Sequence, residues 1–361
     1  MIVNPRARLI APSLKEAILR IMRPPVGLHI YLAACLALVC YYLVSWPIEA
    51  RDTDLWYHLS GGRYFFTRGE LPHTTFFSFL MPEREYVDYY WLFQVIVFKV
   101  FAWGGYVGLI LLKAFVFMAL LYLIFRFLFQ RQSEQNHPYL AVIFTLYILL
   151  FLFRFSELRP YIFGYLFIVL FLLLFELEQS RLFFLPLLAV LWANVHGIAY
   201  PIILVITFSY LSEFFIVLFG KNERVQPRHL RYLIPVLAAI AAIYATPHGA
   251  DLLGVPWTRT LFAAQYINEL RTMHIADLFL FQLSSSGLFW QTVVNLLIML
   301  AVVSLYLSIR RMQMRISHLL LAAGGVVLLA KGVRFYFEFA LLLLPLFRSN
   351  SIVIPMIDGQ R

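Results

Sequence analysis

The chain has 361 residues, of which 48 are charged (29 Lys and Arg, 19 Asp and Glu), and 62% are hydrophobic. Charged residues make up 13%, about half the roughly 25% of a soluble domain, and the interior of a soluble fold of this size has no room for so much apolar surface. A soluble enzyme, a disordered chain and a secreted disulfide scaffold are thereby excluded, which leaves an all-α polytopic integral membrane protein. The net charge of +10 fits Lys and Arg gathered on cytoplasmic loops rather than affinity for nucleic acid.

Residues 1–26 form a basic, polar N-terminus, expected on the cytoplasmic side. The apolar run that follows carries no small-residue cleavage site, so an uncleaved first span is predicted. Cys35 and Cys40 lie in this run, and five residues apart on a helix they point to different faces. The membrane domain covers 27–348, with candidate spans at 27–48, 105–129, 137–153, 160–178, 182–198, 199–219, 231–246, 288–309, 316–331 and 332–348. Residues 91–105 are apolar but short and hold Lys99, which suits an interfacial or re-entrant helix. With the N-terminus inside, this ten-span layout puts 17 of the 29 Lys and Arg on cytoplasmic segments. Making 91–105 a span would move the basic clusters near 224 and 310 to the outer side, against the positive-inside rule. Residues 349–361 are then a cytoplasmic tail. The connections rich in polar residues all fall on the outer face.

The first outer loop, 49–104, opens with Asp52-Thr53-Asp54-Leu55-Trp56-Tyr57-His58 and continues to Gly62-Arg63. Asp52 can cap a helix over about 54–66, and Asp54 and His58 share one face of it at i and i+4. The segment is either a capped aromatic helix at the interface or an active-site carboxylate with a nearby His. A connector of roughly 40 residues is long for a simple turn, and it carries Asp88 near its end. Further along, Arg154, Glu157 and Arg159 cluster before Pro160, as a salt bridge or as a phosphate contact. Asn194 and His196 end a span, and polar side chains at that depth face the protein interior, for interhelical bonding or substrate contact. His248 sits in Thr246-Pro247-His248-Gly249, where Pro and Gly stop a helix. The second large outer loop, 247–287, has the composition of interfacial helices and contains Glu269. Lys331, Arg334 and Glu338 lie near the start of the last span, where Arg334 and Glu338 can pair at i,i+4 or the two cations can cradle a phosphate.

The Asp52–His58 segment, Gly62-Arg63, Gly69–Pro72, Phe77-Ser78 and Asp88–Phe93 resemble a bacterial branch of membrane proteins related to the GT-C glycosyltransferases. That group includes protein mannosyltransferases and aminoarabinose transferases. The resemblance continues at Arg159-Pro160, Trp192–Gly197, Thr246–Gly249 and Arg334, and so runs from about 27 to 348. It implies a GT-C-like helical bundle, with interfacial helices in the first outer loop. The implied activity moves a sugar from a polyprenyl-phosphate donor to a glycan, lipid or protein acceptor on the extracytoplasmic side of the inner membrane. Asp54 is then the general base, with Asp52 and His58 as its catalytic neighbours. Arg63, Asp88, Arg159, Asn194, His196, His248, Glu269, Lys331 and Arg334 are candidate substrate contacts. A divalent metal, Mg or Mn, held by Asp52 and Asp54 is a candidate cofactor. The chain departs from the best-known members in having Asp-Thr-Asp rather than adjacent Asp-Glu, and in having no large soluble domain after the last expected span. That second departure suggests a partner protein that delivers the acceptor. The chemistry is reasonable on its own terms. A glycosyl phosphate has a good leaving group, so a carboxylate to take a proton and cations to hold the phosphate are what the enzyme must supply. The alternatives are a flippase or transporter of a lipid-linked substrate and a non-catalytic subunit of a cell-envelope polysaccharide assembly system. A transporter requires charges along a route to both faces, whereas a transferase requires them near one.

Overall fold

The computed structural model describes residues 26–45, 54–80, 82–221, 224–257, 274 and 289–349. Among them regular structure is helical, apart from one antiparallel bridge between Thr74 and Glu85. In chain order the helices are α1 (Val26–Val44), α2 (Leu55–Arg68), α3 (Trp91–Phe129), α4 (His137–Arg154), α5 (Tyr161–Glu176), α6 (Leu185–Val195), α7 (Tyr200–Gly220) and α8 (Pro227–Ala241). They continue as the short α9 (Asp251–Gly254), then α10 (Phe289–Arg310), α11 (Ile316–Lys331), α12 (Tyr336–Leu342) and α13 (Leu344–Ser349). A helix stands at each apolar run read from the sequence, as expected where backbone polar groups must be satisfied within their own segment. Among the described residues, five helices are long and apolar enough to cross a membrane: Val26–Val44, Trp91–Phe129, Glu134–Leu152, Gly197–Gly220 and Gln291–Arg310. Four more are apolar but shorter: Tyr161–Glu176, Gln179–Val195, His229–Tyr244 and Ile316–Lys331.

Local chemistry sets where helices begin and end. α8 starts before its apolar stretch because Gln226 and His229 form a reciprocal cap, with the Gln226 backbone N–H donating to His229 Nδ1 at 3.1 Å, and because Pro227 suits the first turn. The last apolar run divides into α12 and α13 at Leu343, two residues before Pro345, which has no N–H to continue the ladder. α3 is two helices joined at Gly105, whose φ of 55° and ψ of −147° are open to glycine alone. The chain folds back there. A Cβ on Gly108 would lie 2.9 Å from the Val100 carbonyl oxygen, whereas residues eight apart in a straight helix are separated by about 12 Å. The break falls where the sequence divides a short helix over 91–105 from a long one over 105–129.

The first part of α3 is the bed for α2. Leu55, His58, Leu59, Gly61 and Gly62 form the buried face of α2, following the 3.6-residue period. Gly62 allows the close approach, since a Cβ there would sit 2.4 Å from the Gln94 carbonyl oxygen and 2.4 Å from Phe98 Cβ. α5 is the central helix, with Ile162, Ile168, Phe171, Leu172 and Phe175 all buried, and it packs against α3, α6, α7 and α12. α1 lies on the outside of α3, mostly exposed, and is tied to α4 by Tyr31 Oη and Thr145 Oγ1 at 2.5 Å.

Candidate functional site

The end of the bundle where α5 and α12 begin holds a polar cavity of about 180 Å³. Five separate stretches of chain build it. Asp54 and His58 come from the start of α2, and Tyr90 precedes α3. Arg154, Arg159, Pro160 and Tyr161 come from the turn between α4 and α5. His196, Ile198 and Ala199 come from the link between α6 and α7, and Arg334, Phe335 and Glu338 from the start of α12. Five residues chosen from sequence therefore meet here: Asp54, His58, Arg159, His196 and Arg334.

Asp54 stands at the N-cap position of α2 but makes no capping bond. Its half-exposed carboxylate instead takes Arg159, Nη1 to Oδ2 at 3.1 Å. Arg159 Nε lies 3.1 Å from Glu157 Oε2, and Tyr161 Oη donates to that same oxygen at 2.8 Å. The expected ionic cluster before Pro160 is thus both a salt bridge and part of the cavity wall. The Arg154 guanidinium lies 3.8 Å over the Tyr161 ring and 5.1 Å from Phe337, a cation–π seat that holds it in place. Three guanidinium groups and two carboxylates, Asp54 and Glu338, line the cavity, and with Glu157 paired to Arg159 the formal charges balance.

His58 lies 2% exposed against Tyr90 and Phe93, at ring separations of 5.6 and 4.9 Å. Burial, and then the nearby Arg159 charge, lower its pKa to about 3, so the imidazole is neutral at physiological pH. Its buried Nδ1 has no hydrogen-bond partner among the described residues. Tyr90 stacks on His196 at 5.7 Å.

Asn194 explains how these segments meet. Its Oδ1 accepts from Trp91 Nε1 at 2.8 Å, and its Nδ2 donates to the carbonyls of Val190 and Ala245, each at 2.8 Å. The amide thus pins the head of α3 to the ends of α6 and α8, which sets Tyr90 against His196. Of the two sequence readings of Asn194, the geometry favours interhelical bonding.

The remaining sequence candidates among the described residues lie away from the cavity. Asp88 is 1% exposed, and its Oδ1 accepts from Gln94 Nε2 at 3.0 Å, the Tyr90 N–H at 3.2 Å and Tyr86 Oη at 3.3 Å. It organises the loop, and burial raises its pKa to about 6. His248 hydrogen-bonds the Asp88 backbone carbonyl, and burial lowers its pKa. Arg63 is exposed on α2. Lys331 is exposed with its ammonium 3.8 Å over the Trp257 ring, so of the proposed Lys331–Arg334 cradle only Arg334 lines the cavity. Asp52 and Glu269 lie outside the described residues. The cation beside Asp54 is Arg159, and among the described residues no three His, Cys, Asp or Glu side chains gather as metal ligands.

Sequence reasoning passed over Tyr90 and Tyr161, which carry no signal in so aromatic a chain. It also passed over Lys113, which is fully buried within α3 and whose Nζ donates to the Ser156 carbonyl at 3.3 Å. That bond supports the turn bearing Arg154 and Arg159. A lone lysine at the middle of an apolar run was the available signal.

No family model, no curated protein and no solved structure matches this chain. The fold and cavity define an all-α protein with helices able to cross a membrane and, at one end, a polar pocket lined by arginines and carboxylates.

Proposed function

We propose that the protein is a ten-span, GT-C-like glycosyltransferase of the bacterial inner membrane. It moves a sugar from a polyprenyl-phosphate donor to an acceptor on the extracytoplasmic side, in cell-envelope glycan assembly. The observation that carries this reading is the meeting of Asp54 with Arg154, Arg159 and Arg334 in one cavity. A carboxylate beside three guanidinium groups is what transfer from a glycosyl phosphate requires.

In this mechanism the lipid phosphate lies against the arginines and draws Arg159 from Asp54. The acceptor hydroxyl attacks the anomeric carbon and its proton passes to Asp54. The bond from the anomeric carbon to the phosphate oxygen breaks, and the lipid phosphate leaves with the electron pair, its added charge balanced by the guanidinium groups. Against a transport path stands α5, whose buried apolar residues fill the bundle for about 22 Å from Tyr161 to Glu176.

The test is transfer by purified protein in lipid, from radiolabelled polyprenyl-phosphate sugars to a membrane extract, with and without a chelator. Asp54→Asn should lower turnover by about 10²–10⁴-fold, and Arg159→Gln should raise KM for the donor. Transfer that persists in Asp54→Asn would refute Asp54 as the base. No transfer from any donor by folded protein would refute the enzyme and favour a flippase or assembly subunit.

A further inference from the structure

At the far end of α5 lies a second cavity of about 420 Å³, between the C-terminal ends of α5 and α7 and the start of α8. Two stacked ring pairs wall it, Phe175 with Tyr210 at 4.3 Å and Phe214 with Tyr232 at 4.9 Å. Beside them sits an ionic network in which both acids are already satisfied. Glu176 accepts Arg315 Nη1 at 2.9 and 2.7 Å and Tyr210 Oη at 2.8 Å. Glu213 accepts Arg315 Nε and the Ser317 N–H, each at 2.9 Å.

The unused capacity at the cavity belongs to donors. Arg315 Nη2 makes no hydrogen bond among the described residues, and its side chain is 38% exposed. Lys221, on the rim, has no carboxylate partner among them either. We propose that this cavity binds an anionic phosphate ester, as the headgroup of a membrane phospholipid. The phosphate sits between Arg315 and Lys221, and the glycerol and first methylenes lie on the Phe214–Tyr232 face. Ile216, Val217 and Phe219 are exposed on the same end of α7 and give the acyl chains an apolar path. Arg224 and Arg231, both exposed nearby in the chain, add to the attraction for an anionic leaflet. The inference is independent of the transfer reading, because it involves neither Asp54 nor the first cavity.

Native mass spectrometry of the full chain tests it, using detergent micelles supplied with phosphatidylglycerol or phosphatidylcholine. The wild type should retain phosphatidylglycerol at least threefold better. Lys221→Gln, which removes the rim cation, and Val217→Trp, which fills the cavity mouth, should each cut that retention at least threefold. Both replace exposed side chains, so their melting temperatures should match the wild type. Arg315→Gln should also lose the lipid but will disturb the Glu176–Glu213 network. Equal retention of the two lipids by the wild type, or unchanged retention in both exposed-site variants, would overturn the proposal. Excess inorganic phosphate that displaces the lipid would assign the site to a free phosphate ester and overturn the lipid assignment. Failure of phosphate to compete would support the headgroup.

Discussion

His58 and Asp88 lie in the same loop region, and burial drives their titrations in opposite senses. The imidazole, with a folded pKa of about 3 against an ordinary 6.5, stays neutral in the fold while the unfolded chain takes up a proton. Its contribution to stability is therefore lost as pH falls from 6.5 toward 3. The Asp88 carboxyl has a folded pKa of about 6 against 3.8. Between these values the fold binds more protons than the unfolded chain, so stability falls as pH rises from about 4 to 6 and is level above. The displacement is worth roughly 3 kcal/mol. Asp88→Asn keeps an acceptor for Gln94 and Tyr90 and cannot ionise. Its melting temperature relative to wild type should rise from pH 4 to 6 and then level off. His58→Asn should flatten the acid limb below pH 6.5. A pair of parallel melting curves for Asp88→Asn and wild type across pH 4–6 would refute the buried-acid account. At this scale the sequence was informative where a charge in an apolar setting had to find a polar one. Asp54, Arg159 and Arg334 do so in one cavity. Residue type alone was silent on which of two cations three residues apart turns inward; only Arg334, where the resemblance also falls, lines the cavity.

Helices were legible because an apolar run in lipid has one way to satisfy its backbone. The break at Gly105 was legible because length and Lys99 set 91–105 apart from the long run after it. How α2 seats itself was not, since that depends on contacts between residues some thirty apart. Gly62 is the point of contact. A methyl group there would meet backbone, the Gln94 carbonyl oxygen, at 2.4 Å, and backbone in a packed helix has little room to yield. Gly62→Ala should therefore lift α2 from α3 at a cost of about 1–3 kcal/mol and carry Asp54 away from Arg159. The expected result is a lower melting temperature together with reduced donor transfer. Gly69→Ala serves as a comparison, since a Cβ there has open space but φ is 74°. It should cost about 1 kcal/mol in backbone strain and leave transfer unchanged. Equal loss of transfer in the two variants would mean that the seating of α2 does not position Asp54.

Among the described residues, two ionic clusters lie at the two ends of α5. One end joins Asp54, three arginines and His196; the other joins Glu176, Glu213, Arg315 and His318. Apolar packing along α5, about 22 Å from Tyr161 to Glu176, separates them. Loop charges in the sequence predict an outer and a cytoplasmic side, and the ten-span proposal assigns one end of α5 to each. Arg63, near the first cavity in the chain, should face outward, and Lys221, on the rim of the second, should face the cytoplasm. Cys35 and Cys40 are the only native cysteines, so replacing both with serine gives a clean background for Arg63→Cys and Lys221→Cys. In intact cells a membrane-impermeant maleimide should label position 63 and spare 221, and permeabilised cells should show both labelled. Labelling of both positions from outside would break the topology and with it the extracytoplasmic site. Labelling of 221 alone would invert it, placing the arginine cavity on the cytoplasmic side and its lipid-linked donor in the opposite leaflet.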